Sequence, residues 1–485
     1  MTQSDLEDLA NYVCKNKTET QTIELKSAHD GCPKRLYDTL SSFSNQDNGG
    51  VILFGIDEKA NFCPVGVYDL QDLQKKVTEQ CQQMQPPVRA YFTTTVYEEK
   101  WICAAEIPGI DLSDRPCYYK GAGKIKGSFI RVGDADLPMT DYELYSFEAY
   151  RKHLHDDERP IERASLESLN QEKLNGYIYG MKLERPGLAQ MDRKLVHEML
   201  NISRNDVPTL AAVLNFGIYP QGYLPQLAIT AVAIQGKEMG DVADSGARFI
   251  DNKRIEGTLS EMVEGAIAFC KRNMKVQTVI DEHTGRREDI PEYPVAAIRE
   301  AVLNAVIHRD YSYYTEGTPI QIDMFQDRLE IHSPGSLYGR LTVDQLGIAK
   351  PDLRNPALAV MAESQTEAEN RYSGIPTMRR EMKKYGLPAP VFENRRNEFV
   401  VTFYNNLVQQ AENESNVADK EDPDLLSFCR TPRTRREIAD YLGVKTVFYV
   451  TSKYINPLVE EGKLKMTIPD KPKSKNQKYF SASHE

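Results

Sequence analysis

The run Glu300-Ala-Val-Leu-Asn304-Ala-Val-Ile-His308 decides how the second half of this chain is read. Three polar residues recur at every fourth position inside an otherwise apolar stretch. In an α-helix a step of four overshoots one turn by about 40°, so Glu300, Asn304 and His308 share one slowly rotating face. Ala301, Val302, Leu303, Val306 and Ile307 supply the apolar remainder. Polar groups on a helix buried around most of its girth need partners. Either the three satisfy each other and nearby backbone, or they face something bound.

Residues 319–333 read as two strands. Ile320 and Ile322 alternate with polar neighbours, as do Leu329 and Ile331 beyond an Asp327-Arg328 turn. The second strand runs into Ser333-Pro334-Gly335. Further on, Arg371-Tyr-Ser373-Gly374-Ile375-Pro376 opens a helical stretch over 377–384. Small residues at a helix start let backbone N–H groups approach phosphate. This order resembles the GHKL (Bergerat-type) ATP-binding fold over residues 290–405. The similarity is greatest to the divergent branch labelled RecG-like C-terminal or divergent AAA. The resemblance implies ATP with Mg²⁺ as cofactors. It sets Asn304 on the Mg²⁺, Glu300 on the attacking water wherever ATP is hydrolysed, Gly335 in the adenine turn, and Ser373 and Gly374 at phosphate. His308 would orient Asn304 or the Arg309-Asp310 segment. Two departures stand out: the usual Asp-x-Gly-x-Gly turn is absent and the lid carries one glycine. A degenerate site that binds nothing is therefore an open alternative.

With 485 residues the chain is expected to hold three or four domains. Its net charge of −11 excludes a basic coat over the whole surface, though not a local basic patch. Eight scattered cysteines form no C-x-x-C pair, so neither a zinc nor a redox motif is indicated. The first twenty residues are polar and acidic, unlike a signal peptide. No window approaches ~18 uninterrupted apolar residues, so no membrane span is expected. The cytoplasm is the expected compartment, with reduced thiols.

In residues 1–150, TIELK at 22–26 reads as a strand, and a helical segment spans about 33–43. Ser44-Asn45-Gln-Asp-Asn48-Gly49-Gly50 is a turn, and 51–56 fits a buried strand ending at Asp57. Carboxylates at strand ends converge readily, so Glu19, Glu24 and Asp57 are candidates for one Mg²⁺ or Mn²⁺. The Glu19…Glu24-Leu-Lys26 spacing, the 44–50 turn, Arg115-Pro116…Tyr119 and Gly127-Ser-Phe-Ile-Arg131-Val-Gly133 together resemble the Schlafen AlbA-like domain. The resemblance implies DNA binding, and some Schlafen proteins are metal-dependent RNases. The same three acids match that nuclease triad, although those nucleases pair two lobes where this chain has one; a dimer would supply the second. Structural ion pairs and caps are the bland alternative. The segment 121–128 misses the Walker spacing and is expected to be a cationic hairpin. Lys120, Lys124, Lys126 and Arg131 would meet phosphate there. With no Walker lysine, a helicase motor is disfavoured.

The expected fold class is multidomain α/β: an α+β N-terminal domain, a mixed α/β GHKL-like region and a C-terminal winged helix-turn-helix. Residues 151–206 read as a helical connector, with His153 and His155 facing solvent. Residues 207–289 read as a mixed α/β middle segment and 406–424 as an acidic linker. From Arg430 onward twelve Lys/Arg stand against six Asp/Glu. A Thr434/Glu437 capping box, a second helix over 446–461 and a lysine-rich wing fit a winged helix over 425–485. Lys445, Lys453, Lys473 and Lys475 are its candidate phosphate contacts, and dimerisation or protein contact is the alternative use. The favoured function is an ATP-responsive, DNA-binding transcriptional regulator, expected to be dimeric. The alternatives are a metal-dependent ribonuclease acting on structured RNA in stress or phage defence, and a scaffold with a decayed ATP site.

Overall fold

The computed structural model describes residues 1–241, 248–280, 287–365, 373–405, 425–441, 455, 458–459, 463–467 and 477–481. The chain forms two compact units, Met1–Phe403 and Tyr404–Glu485.

The first unit begins with the helix Gln3–Asn16, whose start is fixed by a Thr2/Asp5 capping box. Four strands follow, ordered Ile23–Lys26, Gly50–Phe54, Lys100–Ile107 and Tyr91–Tyr97. The first pair is parallel and the others antiparallel. Period-two alternation feeds two cores from this one sheet. Leu25, Leu53, Ile102 and Ala104 pack with Leu6, Ala10 and Val13 of the first helix. Ile52, Phe54, Cys103 and Ala105 pack with Leu40, Phe43 and Val77 from the helices Tyr37–Ser44 and Leu70–Gln82. Gly50 permits the Phe43 contact, since a Cβ there would lie 2.5 Å from the ring. The expected cationic hairpin at 121–128 is instead a one-turn helix, Gly123–Gly127. Its first glycine takes φ +72°, which lets the chain turn into a helix without a hairpin.

The second sheet has six strands, ordered Phe249–Ile255, Ile229–Ile234, Ile320–Met324, Arg328–Pro334, Glu398–Tyr404 and Val391–Arg395. The helices Leu259–Asn273 and Val295–His308 share its core. The latter buries Ala297, Ile298, Ala301, Val302, Leu303, Ala305 and Val306, as its apolar pattern requires. One hydrophobic core runs from Ile161 to Phe403. The boundary expected at 289/290 therefore does not separate two bodies. Two strands of the middle segment complete the sheet, and Leu174 and Tyr177 of the connector enter the same core. His155 does not face solvent as expected: it is half-buried, with Nδ1 3.0 Å from the Arg354 carbonyl.

In the second unit, the Thr434/Glu437 reciprocal bonds start the helix Arg435–Tyr441. Strands Arg433–Thr434, Lys478–Ser481 and Leu464–Met466 form a three-stranded sheet in that order. Cys429, Ile438, Ile455, Leu464 and Tyr479 make its core. Most of the helix expected over 446–461 lies outside the described residues, as do Lys445, Lys453, Lys473 and Lys475. Among the described residues no helix is long and apolar enough to cross a membrane.

Candidate nucleotide site

The helix Val295–His308 ends where Asn355 takes over its last carbonyls: the amide donates to Ile307 O at 2.9 Å and to Arg309 O at 2.7 Å. Ser333 Oγ donates to Ala305 O at 3.0 Å, tying the adjacent strand to the same helix. Strand, helix and the start of a second helix, Gly374–Lys384, then enclose one cavity. Glu300, Asn304, His308, Gly335, Ser373 and Gly374 all line it. Apolar walls come from Ile331, Leu337, Leu346, Phe399 and Val401.

Two glycines mark close approaches. A Cβ on Gly374 would stand 2.9 Å from Glu300 Oε2 and 3.1 Å from Asn304 Nδ2. The amino end of the second helix thus abuts both polar residues of the first with no room for a side chain. Gly335 takes φ +101°, and a Cβ there would lie 2.4 Å from both Arg354 Nη1 and Asp310 Cβ. Only glycine fits that turn. His308, the last residue of the helix, lines the cavity. Crowding by protein, with Arg354 as the lesser cause, holds its imidazole below the ordinary value.

Sequence reasoning missed what borders this cavity. Asp310 is buried and accepts from Tyr142 Oη at 2.7 Å and from Ser312 N at 2.8 Å, with Arg354 Nη1 3.6 Å away. Burial pushes its carboxyl up, but Arg354 and those hydrogen bonds bring it below the usual range. Tyr142 belongs to the helix Asp141–Lys152, which leaves the N-terminal region. From the same helix Tyr150 donates to Asp352 at 3.0 Å, and Glu143 pairs with Arg396 at 2.9 Å. Tyr150 also meets the Tyr338 ring edge-on, and both Asp352 and Tyr338 line the cavity. A Tyr-x-x-Tyr spacing at 142 and 145 was the available signal, but Asp310, the partner of Tyr142, is far away in sequence.

The N-terminal acids are arranged differently. Glu24 and Asp136 flank the buried Arg131, at 2.7 and 3.1 Å, and Glu19 reaches it at 4.0 Å. Glu24 also pairs with Lys26, and Glu19 accepts from Leu25 N at 2.7 Å. Burial raises the Glu19 carboxyl. Asp57 accepts from Lys59 N at 3.0 Å, closing its own turn. Among the described residues Glu19, Glu24 and Asp57 do not bring three ligand atoms within 4.8 Å of one another. The cation already among the acids is Arg131, whose side chain is 1% exposed. It cannot reach phosphate from there, contrary to expectation. Lys120 and Lys126 are exposed. Lys124 lies 3.5 Å from Glu148.

Residues 19–140 match the family "Schlafen, AlbA_2". Residues 317–403 match "Putative ATP-dependent DNA helicase recG C-terminal", a HATPase-type family. The chain thus carries a Schlafen AlbA-type domain followed by a RecG-C-terminal, HATPase-type domain. Residues 424–480 match the C-terminal domain of the Fic-like (filamentation induced by cAMP) proteins, where a winged helix was expected. Among solved structures, the DIP2311 protein from Corynebacterium diphtheriae aligns at 17% identity. That alignment covers 95% of this chain and 93% of its own, with a TM-score of 0.39. The N-terminal domain of a RecG-related protein from Nitrosomonas europaea aligns at 26% identity over 29% of this chain and 94% of its own, with a TM-score of 0.23. No curated protein matches.

Proposed function

We propose that this chain is an ATP-binding, nucleic-acid-binding regulator in which nucleotide at the cavity biases DNA binding by the terminal domains. One observation carries the reading: six residues scattered from 300 to 374 line a single cavity, with Gly374 packed against Glu300 and Asn304. The residues fit the cofactor. The Asn304 amide oxygen is a hard ligand suited to Mg²⁺. The amino end of Gly374–Lys384, bare of a Cβ, suits a phosphate. Gly335 keeps its turn open beside the cavity. Mg²⁺-ATP would supply a dense negative charge there; Glu300 would orient water if hydrolysis occurs. The family match of residues 317–403 supports nucleotide use, and that of 19–140 supports a nucleic-acid partner. The winged helix-turn-helix reading of 425–485, and a dimer, belong to the same proposal.

The test is equilibrium binding of Mg²⁺-ATP to the wild type and to Asn304→Ala, followed by DNA and structured-RNA affinity with and without ATP. Loss of at least about tenfold in ATP affinity is expected for the variant, and ATP should change DNA affinity in the wild type. Equal ATP binding by both proteins, or DNA affinity indifferent to ATP and to removal of residues 425–485, overturns the proposal.

A further inference from the structure

Four titratable side chains meet on the face of the six-stranded sheet turned away from the cavity. Alternation fixes this: Ile331, Ser333, Phe399 and Val401 line the cavity, so Glu330, His332 and Glu398 stand on the other side. The register sets Asp323 directly opposite Glu330, and Gln321 opposite His332. His332 Nε2 lies 3.1 Å from Glu330 Oε2 and 3.7 Å from Asp323 Oδ2. One ligand atom from each of the three residues falls within 4.8 Å of the others. His332 Nδ1 lies 3.2 Å from Glu398 Oε2.

Three features of this cluster call for a cation. Like charges directly opposite on neighbouring strands repel, yet Asp323 faces Glu330. Second, Asp323 is 2% exposed. Its hydrogen bonds come from the neutral amide of Gln321, at 2.9 and 3.0 Å. Its one ion-pair contact among the described residues is His332. The Arg328 guanidinium takes Glu330 Oε1 at 2.5 Å, leaving Oε2 to the imidazole. Third, the imidazole holds one nitrogen towards an outer carboxylate and aims the other at two inner ones. Metal-bound histidines are oriented in the same way, with the distal N–H donated to a carboxylate.

We propose that Asp323, Glu330 and His332 bind a divalent first-row transition cation, Zn²⁺ in the first instance, with Glu398 orienting the imidazole. Donors held tetrahedrally about Zn²⁺ stand roughly 3.3 Å apart, a value bracketed by the 3.1 and 3.7 Å separations here. A mixed imidazole and carboxylate set suits Zn²⁺ or Mn²⁺ better than Ca²⁺. The ion would pin the strands Ile320–Met324 and Arg328–Pro334, with Glu398 adding a third, beneath the floor of the cavity. Its role is structural, and it stands or falls independently of nucleotide binding.

The test uses the full chain, stripped of metal and free of nucleotide, titrated with Zn²⁺ by equilibrium dialysis and with Co²⁺ by visible absorption. One tightly held ion per chain is expected. His332→Gln and Asp323→Asn should each weaken it by about tenfold or more while circular dichroism stays native. Glu398→Gln, at a strand surface, should weaken it about tenfold and guards against misfolding of the other two. No retained Zn²⁺ in the wild type, or unchanged affinity in Glu398→Gln and any folded inner variant, overturns the proposal. A Co²⁺ spectrum dominated by thiolate and kept in the variants points to cysteine instead and also overturns it.

Discussion

Acidic side chains gather at two places in the first unit, and the two gatherings are built on opposite principles. In the N-terminal region Glu19, Glu24 and Asp136 surround Arg131, a cation that never titrates in the working range. On the outer face of the six-stranded sheet Asp323, Glu330 and Glu398 surround His332, a cation only when protonated. The first arrangement is closed: its cation is present at every pH where the protein folds. The second is conditional, and a proton or a metal ion can fill the same need.

The largest expected effect comes from removing the permanent cation. Arg131→Met leaves Glu24 and Asp136 facing each other in the interior and should cost about 3–5 kcal/mol, read by urea unfolding. If the loss is below ~1 kcal/mol, the acids are better solvated than their geometry implies and the contrast fails. His332→Leu in metal-free protein should cost less, about 2 kcal/mol, because its cluster is partly wet and Arg328 still holds Glu330. The pH response then separates the two. His332 is lowered by burial, but Glu330, Glu398 and Asp323 raise it above its ordinary value overall. Its contribution in metal-free protein is therefore complete below the unfolded value and lost as pH rises through the raised folded one. The difference in stability between wild type and His332→Leu should shrink on going from pH 6 to pH 9, about the ordinary imidazole range. Zn²⁺ should reverse that trend, since it needs the neutral ring. The smallest effect is Tyr142→Phe, about 1 kcal/mol, from losing one hydroxyl on buried Asp310. Asp310 is held below its ordinary value, so its own contribution is present above the unfolded pKa and fades as acid brings pH through the folded one.

The cavity was legible because its residues follow local rules. Glu300, Asn304 and His308 announce a shared face by i, i+4 spacing, and Ser373-Gly374 announces a helix start. The strand pair 320–334 was legible from alternation. What could not be read depends on register between strands distant in sequence. Nothing in Glu330-Ile-His332 says that Asp323 lies opposite Glu330 or that Glu398 borders His332. Arg131 looked like a phosphate contact because it stands close to Lys120, Lys124 and Lys126 in an expected cationic hairpin. Its burial follows from its place beside Glu24, more than a hundred residues earlier. The middle segment looked separate because the strands Ile229–Ile234 and Phe249–Ile255 join the sheet through a parallel pairing with Ile320–Met324, which no local pattern encodes.

The helix Asp141–Lys152 has a mechanical consequence. A disordered tether would let the AlbA-type and HATPase-type domains wander through a volume set by its length. These twelve residues instead form a rod about 18 Å long. It is bolted to Asp310, Arg396 and Asp352 on one side and touched by Lys124 of the N-terminal region on the other. Such a rod fixes the spacing between the cavity wall and the edge of the AlbA-type domain, where a disordered tether would leave it free.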